Sequence, residues 1–204
     1  MVNVTLRLPA LALALALAIS HAKAATVQVQ VQDGAGKPLA GAAVFLESRE
    51  ARAAAKPAAG AEIAQVGKQF EPRVLVVPVG TSVSFPNRDT VRHHVYSFSP
   101  SKTFELKLYT GTAANPVVFD KPGIAVLGCN IHDNMTAWVV VVETPYYGSS
   151  TPAGTVLLGN VPANNYRLRV WHPGLPVGAP ATDQALVIGA TDSSTTLRLT
   201  GVSP

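Results

Sequence analysis

Gly128-Cys129-Asn130-Ile131-His132-Asp133-Asn134-Met135 holds the only cysteine of the 204-residue chain and, besides the initiator, its only methionine. A histidine lies between them. Val117-Val118-Phe119 and Gly123-Ile124-Ala125-Val126-Leu127 lead into this stretch, and Thr136-Ala137-Trp138-Val139-Val140-Val141-Val142 leads out, all with strand character. The octapeptide is therefore expected on a loop joining two β-strands, where a rigid sheet fixes ligand positions. A thiolate, a thioether and an imidazole within one turn suit copper, because soft sulfur donors select it over hard cations. One more histidine completes a His₂Cys set with an axial Met, and His93 or His94 offers it from an earlier strand.

The chain opens with the pattern of a secretory leader. Arg7 gives a positive start, Leu8 to Ile19 an apolar run, and Ala22-Lys23-Ala24 a small-residue cleavage pattern. The run is shorter than the roughly 20 apolar residues a spanning helix needs. An exported, soluble mature protein beginning near Ala25 or Thr26 is expected, with no membrane span. Export sharpens the meaning of Cys129, since a lone cysteine in an oxidising compartment is a free thiol, an intermolecular link or a metal ligand.

Composition adds an exclusion and a fold class. Without Arg7 and Lys23, 14 of the 16 basic residues remain against 12 acidic ones, a net charge of +2. These residues are scattered, with no basic cluster of the kind that takes nucleic acid. Valine, threonine, glycine and proline are frequent, helical periodicity is missing after the leader, and an all-β chain is expected.

Thr26-Val27-Gln28-Val29-Gln30-Val31-Gln32 alternates as a half-buried strand, and Asp33 to Pro38 supplies turn chemistry. Ala42 to Leu46 reads as a second strand and Phe70 to Gly80 as another, while Ser48 to Gly60 reads as a short helix or, given Pro57 and Gly60, a flexible linker, with the linker placed over 51–64. Val83 and Phe85 are inward candidates. His93 to Phe98 and Phe104 to Tyr109 follow as strands. After the polar stretch Thr144 to Ser150, further strands are expected at Thr155 to Leu158, Tyr166 to Trp171 and Thr196 to Leu199.

Residues 65–144 resemble the cupredoxins, the blue copper carriers that include plastocyanin and amicyanin. The spacing Cys129-x2-His132-x2-Met135 is similar to the short ligand loop of amicyanin, and Val77 to Phe85 and Lys121-Pro122-Gly123 fit the same family. Asn87-Arg88-Asp89-Thr90-Val91-Arg92-His93-His94-Val95 looks like its upstream ligand segment. The resemblance implies a Greek-key β-sandwich with one type 1 copper held by His93, Cys129, His132 and Met135, with His94 as the alternative to His93. The thiolate then needs donors from the loop backbone, for which Asn87 and His94 are the candidate positions. Ile131 and Asp133 stand where the family commonly has prolines, and His94 where it usually has Asn. The wording around Cys129, with Thr144-Pro145-Tyr146 after it, also looks like bacterial proteins labelled plastocyanin-like or methylamine-utilisation proteins.

The two ends resemble a second family. Val27 to Val44, with its turn at Asp33-Gly34-Ala35-Gly36-Lys37-Pro38, looks like the start of a carboxypeptidase regulatory-like (transthyretin-like) β-sandwich. Gly154 to Val170, ending in Val161-Pro162-Ala163-Asn164-Asn165-Tyr166-Arg167-Leu168-Arg169-Val170, looks like its later half. The implied organisation is a leader over 1–24, a split sandwich from 25–50 and 145–204, a linker over 51–64, and a cupredoxin domain over 65–144.

The function implied is one-electron transfer between periplasmic redox partners, such as a cytochrome or a dehydrogenase. Catalysis is not expected, because no Ser-His-Asp pattern, phosphate-cradling glycine loop or zinc signature occurs, and four histidines remain after the leader. Two rival classes are a copper chaperone or sequestering protein and a metal-free binding sandwich. His172, Asp89, Asp120 and Asp133 read as packing or loop residues, and Trp138 and Trp171 as core.

Overall fold

The computed structural model describes residues 24–112 and 115–203, and these are almost entirely β. The all-β expectation is met. The leader expected over 1–24 lies outside the described residues except for Ala24. Among the described residues, no helix is long and apolar enough to cross a membrane.

Both ends of the chain build one pair of sheets. Ala25–Asp33 runs between Thr155–Val161, antiparallel, and Ser193–Leu199, parallel. Its alternation places Val27, Val29 and Val31 inward with no exposed surface. The facing sheet has the order Tyr147–Ser149, Ala43–Glu47, Asn164–Trp171, Thr182–Ile188. Val44, Leu46, Leu168 and Val170 from it meet the three valines in a shared core. Ala42 and Leu39 are tied to Ser150, whose hydroxyl donates to Leu39 O at 2.7 Å and accepts from Ala42 N at 2.8 Å.

The middle of the chain forms a five-stranded sheet in the order Lys102–Tyr109, His93–Ser99, Gly123–Gly128, Thr136–Val142, Val74–Pro78. Its inner face carries Val95, Ala125, Leu127, Ala137 and Val139. These pack on Val83, Phe85, Val117 and Phe119, which come from the smaller sheets around Thr81–Ser84 and Val117–Phe119 and the residues beside them. The outer face carries Val76, Val140 and Val142 and packs on Ala43, Phe45 and Trp171 of the terminal sheet. Covering both faces explains why Thr136–Val142 and Ala43–Glu47 read as continuous apolar runs, since neither face is left to water.

Several local expectations are corrected. The expected strand from Phe70 to Gly80 is two, Gln69–Glu71 and Val74–Pro78, in different sheets. Residues 51–64 are not bare linker. Arg49–Ala54 is a helix whose N-cap Ser48 accepts from Ala51 N at 3.0 Å, with Ala51 buried in the terminal core. Ala61–Glu62 and the start of Ala64–Val66 are strands. Thr182–Ile188, on the sheet edge and mostly exposed, was not expected, because its single inward-turning end leaves little alternation to read.

Candidate metal centre

His93 opens the strand His93–Ser99, and strand alternation turns it to the inner face beside Val95, with no exposed surface. Cys129 follows the end of Gly123–Gly128 and is 4 % exposed. His132, half-buried, sits on the turn that returns to Thr136–Val142, and Met135 N donates to His132 O at 3.0 Å to close that turn. One potential ligand atom from each of His93, Cys129 and His132 lies within 4.8 Å of the others. Cys129 Sγ is 3.8 Å from His132 Nδ1, and the two imidazole centroids are 5.0 Å apart. Met135 is buried in the same core cluster as Cys129.

The donor atoms left free match a metal. His93 Nε2 lies 2.7 Å from Asp89 Oδ2, so that nitrogen is committed, whereas the buried Nδ1 has no hydrogen-bond partner. An orphaned buried nitrogen is costly unless something takes its lone pair. A carboxylate on the far nitrogen is how proteins hold a histidine ligand in one tautomer and orientation. With one imidazole so prepared, a second beside it, a buried thiol and a buried methionine in the same core cluster, the donor set fits a soft-to-borderline transition metal such as copper.

Asp89 is anchored from a distance. Its carboxylate accepts Gly67 N at 2.7 Å and Lys68 N at 2.9 Å besides facing His93. Gly67 and Lys68 both have φ of 59°, the left-handed conformation of a tight hairpin turn that directs successive amides to one acceptor. The Lys68 amide, ahead of the His93 and Gly67 contacts, holds the Asp89 carboxyl below its ordinary range against the opposing effect of burial.

The side chains of Asn87 and His94 are engaged away from the thiolate. Both hydrogens of the Asn87 amide are used, on Val91 O and Tyr109 O at 2.8 Å each, and its Oδ1 accepts Asp89 N at 3.0 Å. Asn87 therefore braces the loop that carries Asp89 and His93. His94 points to the opposite face, as adjacent strand residues must. Its ring packs edge-on against Tyr96, and its Nε2 is 3.1 Å from Glu105 Oε1. His94 is thus not brought to the cluster, and the alternative of His94 for His93 has no support in this geometry.

Two residues that the sequence did not mark as site residues, Tyr109 and Gln65, line the same neighbourhood. Tyr109 donates to Phe85 O at 2.6 Å and accepts from Gln65 Nε2 at 2.8 Å. Burial pushes its hydroxyl up to about 12, with the charge of Cys129 adding to the effect. Neither residue carries a metal-ligand signal, and their closeness to Cys129 depends on pairings between distant strands. Asp89, read as a loop residue bonding backbone amides, does so and also faces His93. Its i, i+4 spacing to His93 is the only trace of this in the sequence.

The remaining candidates lie elsewhere. His172 Nε2 is 3.0 Å from Ala40 O and its Nδ1 accepts Gly174 N at 3.0 Å. Asp120 pairs with Lys102 at 3.0 Å, and Asp133 is exposed. Trp171 is buried and Trp138 half-buried, with ring centroids 6.3 Å apart across the seam between the two sheet pairs.

No protein-family model and no curated protein matches this chain. Solved structures similar to part of it include a Cu-containing nitrite reductase from Thermus scotoductus, 27 % identical over 45 % of this chain and 26 % of that one, TM-score 0.38. A purple cupredoxin from Nitrosopumilus maritimus is 26 % identical over 40 % of this chain and 99 % of its own, TM-score 0.36. A reduced mutant of amicyanin is 24 % identical over 48 % of this chain and 98 % of its own, TM-score 0.38. The chain thus spans about a quarter of the nitrite reductase.

Proposed function

We propose that this chain is an exported type 1 copper protein that carries single electrons between periplasmic redox proteins. The observation that carries the reading is the meeting of His93, Cys129 and His132 within 4.8 Å, with the buried His93 Nδ1 unpartnered. His93, Cys129 and His132 would hold the ion, with Met135 as a further sulfur donor. When bound, copper supplies a reversible one-electron couple between Cu(II) and Cu(I).

The chain's own residues do the rest. Asp89 fixes the His93 ring through Nε2, and Asn87 and the turn at Gly67 and Lys68 fix Asp89. Burial of Cys129 and Met135 keeps water from the sulfur donors. His132 alone of the four is half-exposed, so its ring edge is the place where an electron reaches the surface. A site held alike in both oxidation states needs little rearrangement on transfer, which favours carriage over catalysis.

The organisation proposed with it is a cupredoxin domain over 65–144 inserted into a transthyretin-like sandwich from 25–50 and 145–204. It is supported by the pairing of Ala25–Asp33 with Thr155–Val161 and of Ala43–Glu47 with Asn164–Trp171. Copper titration followed optically and by paramagnetic resonance tests the function. One equivalent of Cu(II) should give an intense visible thiolate band that Cys129→Ser abolishes. A colourless protein that binds only Cu(I) would favour copper handling instead, and no binding would overturn the metal reading.

A further inference from the structure

Beyond the metal centre, the structure contains a cleft of about 620 Å³ on the outer face of the five-stranded sheet. One wall is the sheet itself. Val126 and Trp138 point outward there because Ala125, Leu127, Ala137 and Val139 occupy the inner face. The other wall is the proline-rich loop after Trp171, which contributes Leu175 and the fully exposed Val177. Trp171 also lines the cleft. The volume lies in the range of sites for small organic molecules, roughly 300–1,000 Å³.

Its chemistry is selective. Among the described residues no charged side chain lines the cleft, and Arg73, 5.1 Å from the Trp138 centroid, lines the neighbouring hollow instead. A charged ligand would lose its hydration without compensation. Ser101 also lines the cleft, and its hydroxyl is buried with no hydrogen-bond partner. An orphaned hydroxyl bordering the same cleft as two indole rings and several prolines suits a flat, neutral ring that offers one oxygen.

We propose that this cleft binds a neutral aromatic compound of the phenol or quinone class, its rings between Trp138 and the Leu175–Val177 loop and its oxygen on Ser101. The inference concerns binding only and does not depend on the copper reading.

The chain has two tryptophans, and both line the cleft, so their emission reports locally on it. The test is a fluorescence titration with 1,4-naphthoquinone in a metal-free Cys129→Ser background, which prevents the quinone from adding to the free thiol. Saturable one-to-one quenching is expected. Ser101→Ala should weaken it by about threefold to tenfold through the lost hydrogen bond. Val177→Asp, at a position exposed enough to leave folding untouched, should weaken it further, and 2-naphthalenesulfonate should bind less well than the neutral ring. Linear, unsaturable quenching would overturn the proposal. So would saturable binding indifferent to both variants, or self-association that already buries the two indoles in sedimentation experiments.

Discussion

His93 Nε2 lies 2.7 Å from Asp89 Oδ2, and the ring's other nitrogen, fully buried, faces no partner. One nitrogen is fixed so that the other can be given. The carboxylate is itself held by two amides from the turn at Gly67 and Lys68, more than twenty residues away in sequence. The orientation of one candidate ligand is therefore set by a hairpin from a different sheet.

Replacing that carboxylate should loosen the metal without unfolding the chain. Asp89→Asn keeps one oxygen as an acceptor, but it replaces the other with an NH₂ group and removes the charge that pairs with His93. Copper affinity, measured by competition with a chelator, should fall about 10- to 100-fold. Asp89→Glu should recover part of it. An unchanged affinity would show that the contact does not orient His93.

The same contact predicts an acid limb in the stability of the metal-free protein. The folded-state pKa of Asp89 is depressed from its ordinary 3.8, chiefly by the Lys68 amide. A depressed carboxyl stabilises the fold above its unfolded pKa, and that contribution is lost as pH falls through the folded value. Thermal unfolding followed from neutral pH to below 3.8 should therefore lose midpoint over the last part of that range. Asp89→Asn should be less stable at neutral pH and should converge with the parent in acid.

Phe119 has no exposed surface and packs edge-on against Phe104, with centroids 6.1 Å apart, inside the core beneath the Cys129 loop. Phe119→Ala should cost about 3–5 kcal/mol of unfolding free energy, since a cavity is left as well as lost burial. Denaturant titration of the metal-free protein measures this directly. A cost below about 1 kcal/mol would mean that the core collapses around the gap.

Much of this was legible because it is periodic or chemically rare. The alternation of Val27, Val29 and Val31 gave a strand and its inward face, and the Cys129, His132, Met135 trio marked one loop for a metal. The choice of His93 over His94 follows from alternation once the sheet's inner face is known, and the structure supplies that face through Val95. Other features were hidden for physical reasons. The covering of both faces of Thr136–Val142 erases the alternation that would tell inner from outer residues. Asp89, Gln65 and Tyr109 are ordinary polar residues in sequence, and only tertiary pairing brings them to the site. The bracing role of the Asn87 side chain, whose two amide hydrogens go to Val91 and Tyr109, likewise depends on contacts the sequence does not show.

Gly128 is required by space rather than by backbone angle. A Cβ there would come within 2.8 Å of Tyr96 Cζ and Oη, and Gly128 is the cross-strand partner of Tyr96. The Tyr96 ring packs against His94 at 5.8 Å and Phe98 at 5.2 Å, so moving it aside disturbs its packing on the buried His94. Gly128→Ala should therefore cost about 1–3 kcal/mol, the usual range for overpacking. Because Gly128 precedes Cys129, the displaced backbone should also alter the thiolate band of the copper-loaded protein. Trimming the ring in Gly128→Ala/Tyr96→Ser removes the clash, so the pair should be less destabilised than the sum of the two single changes. A coupling of about 0.5–3 kcal/mol is expected for residues in contact. Additive costs in that double-mutant cycle would mean that the strand end yields freely, and that Tyr96 has no part in holding Cys129 where it is.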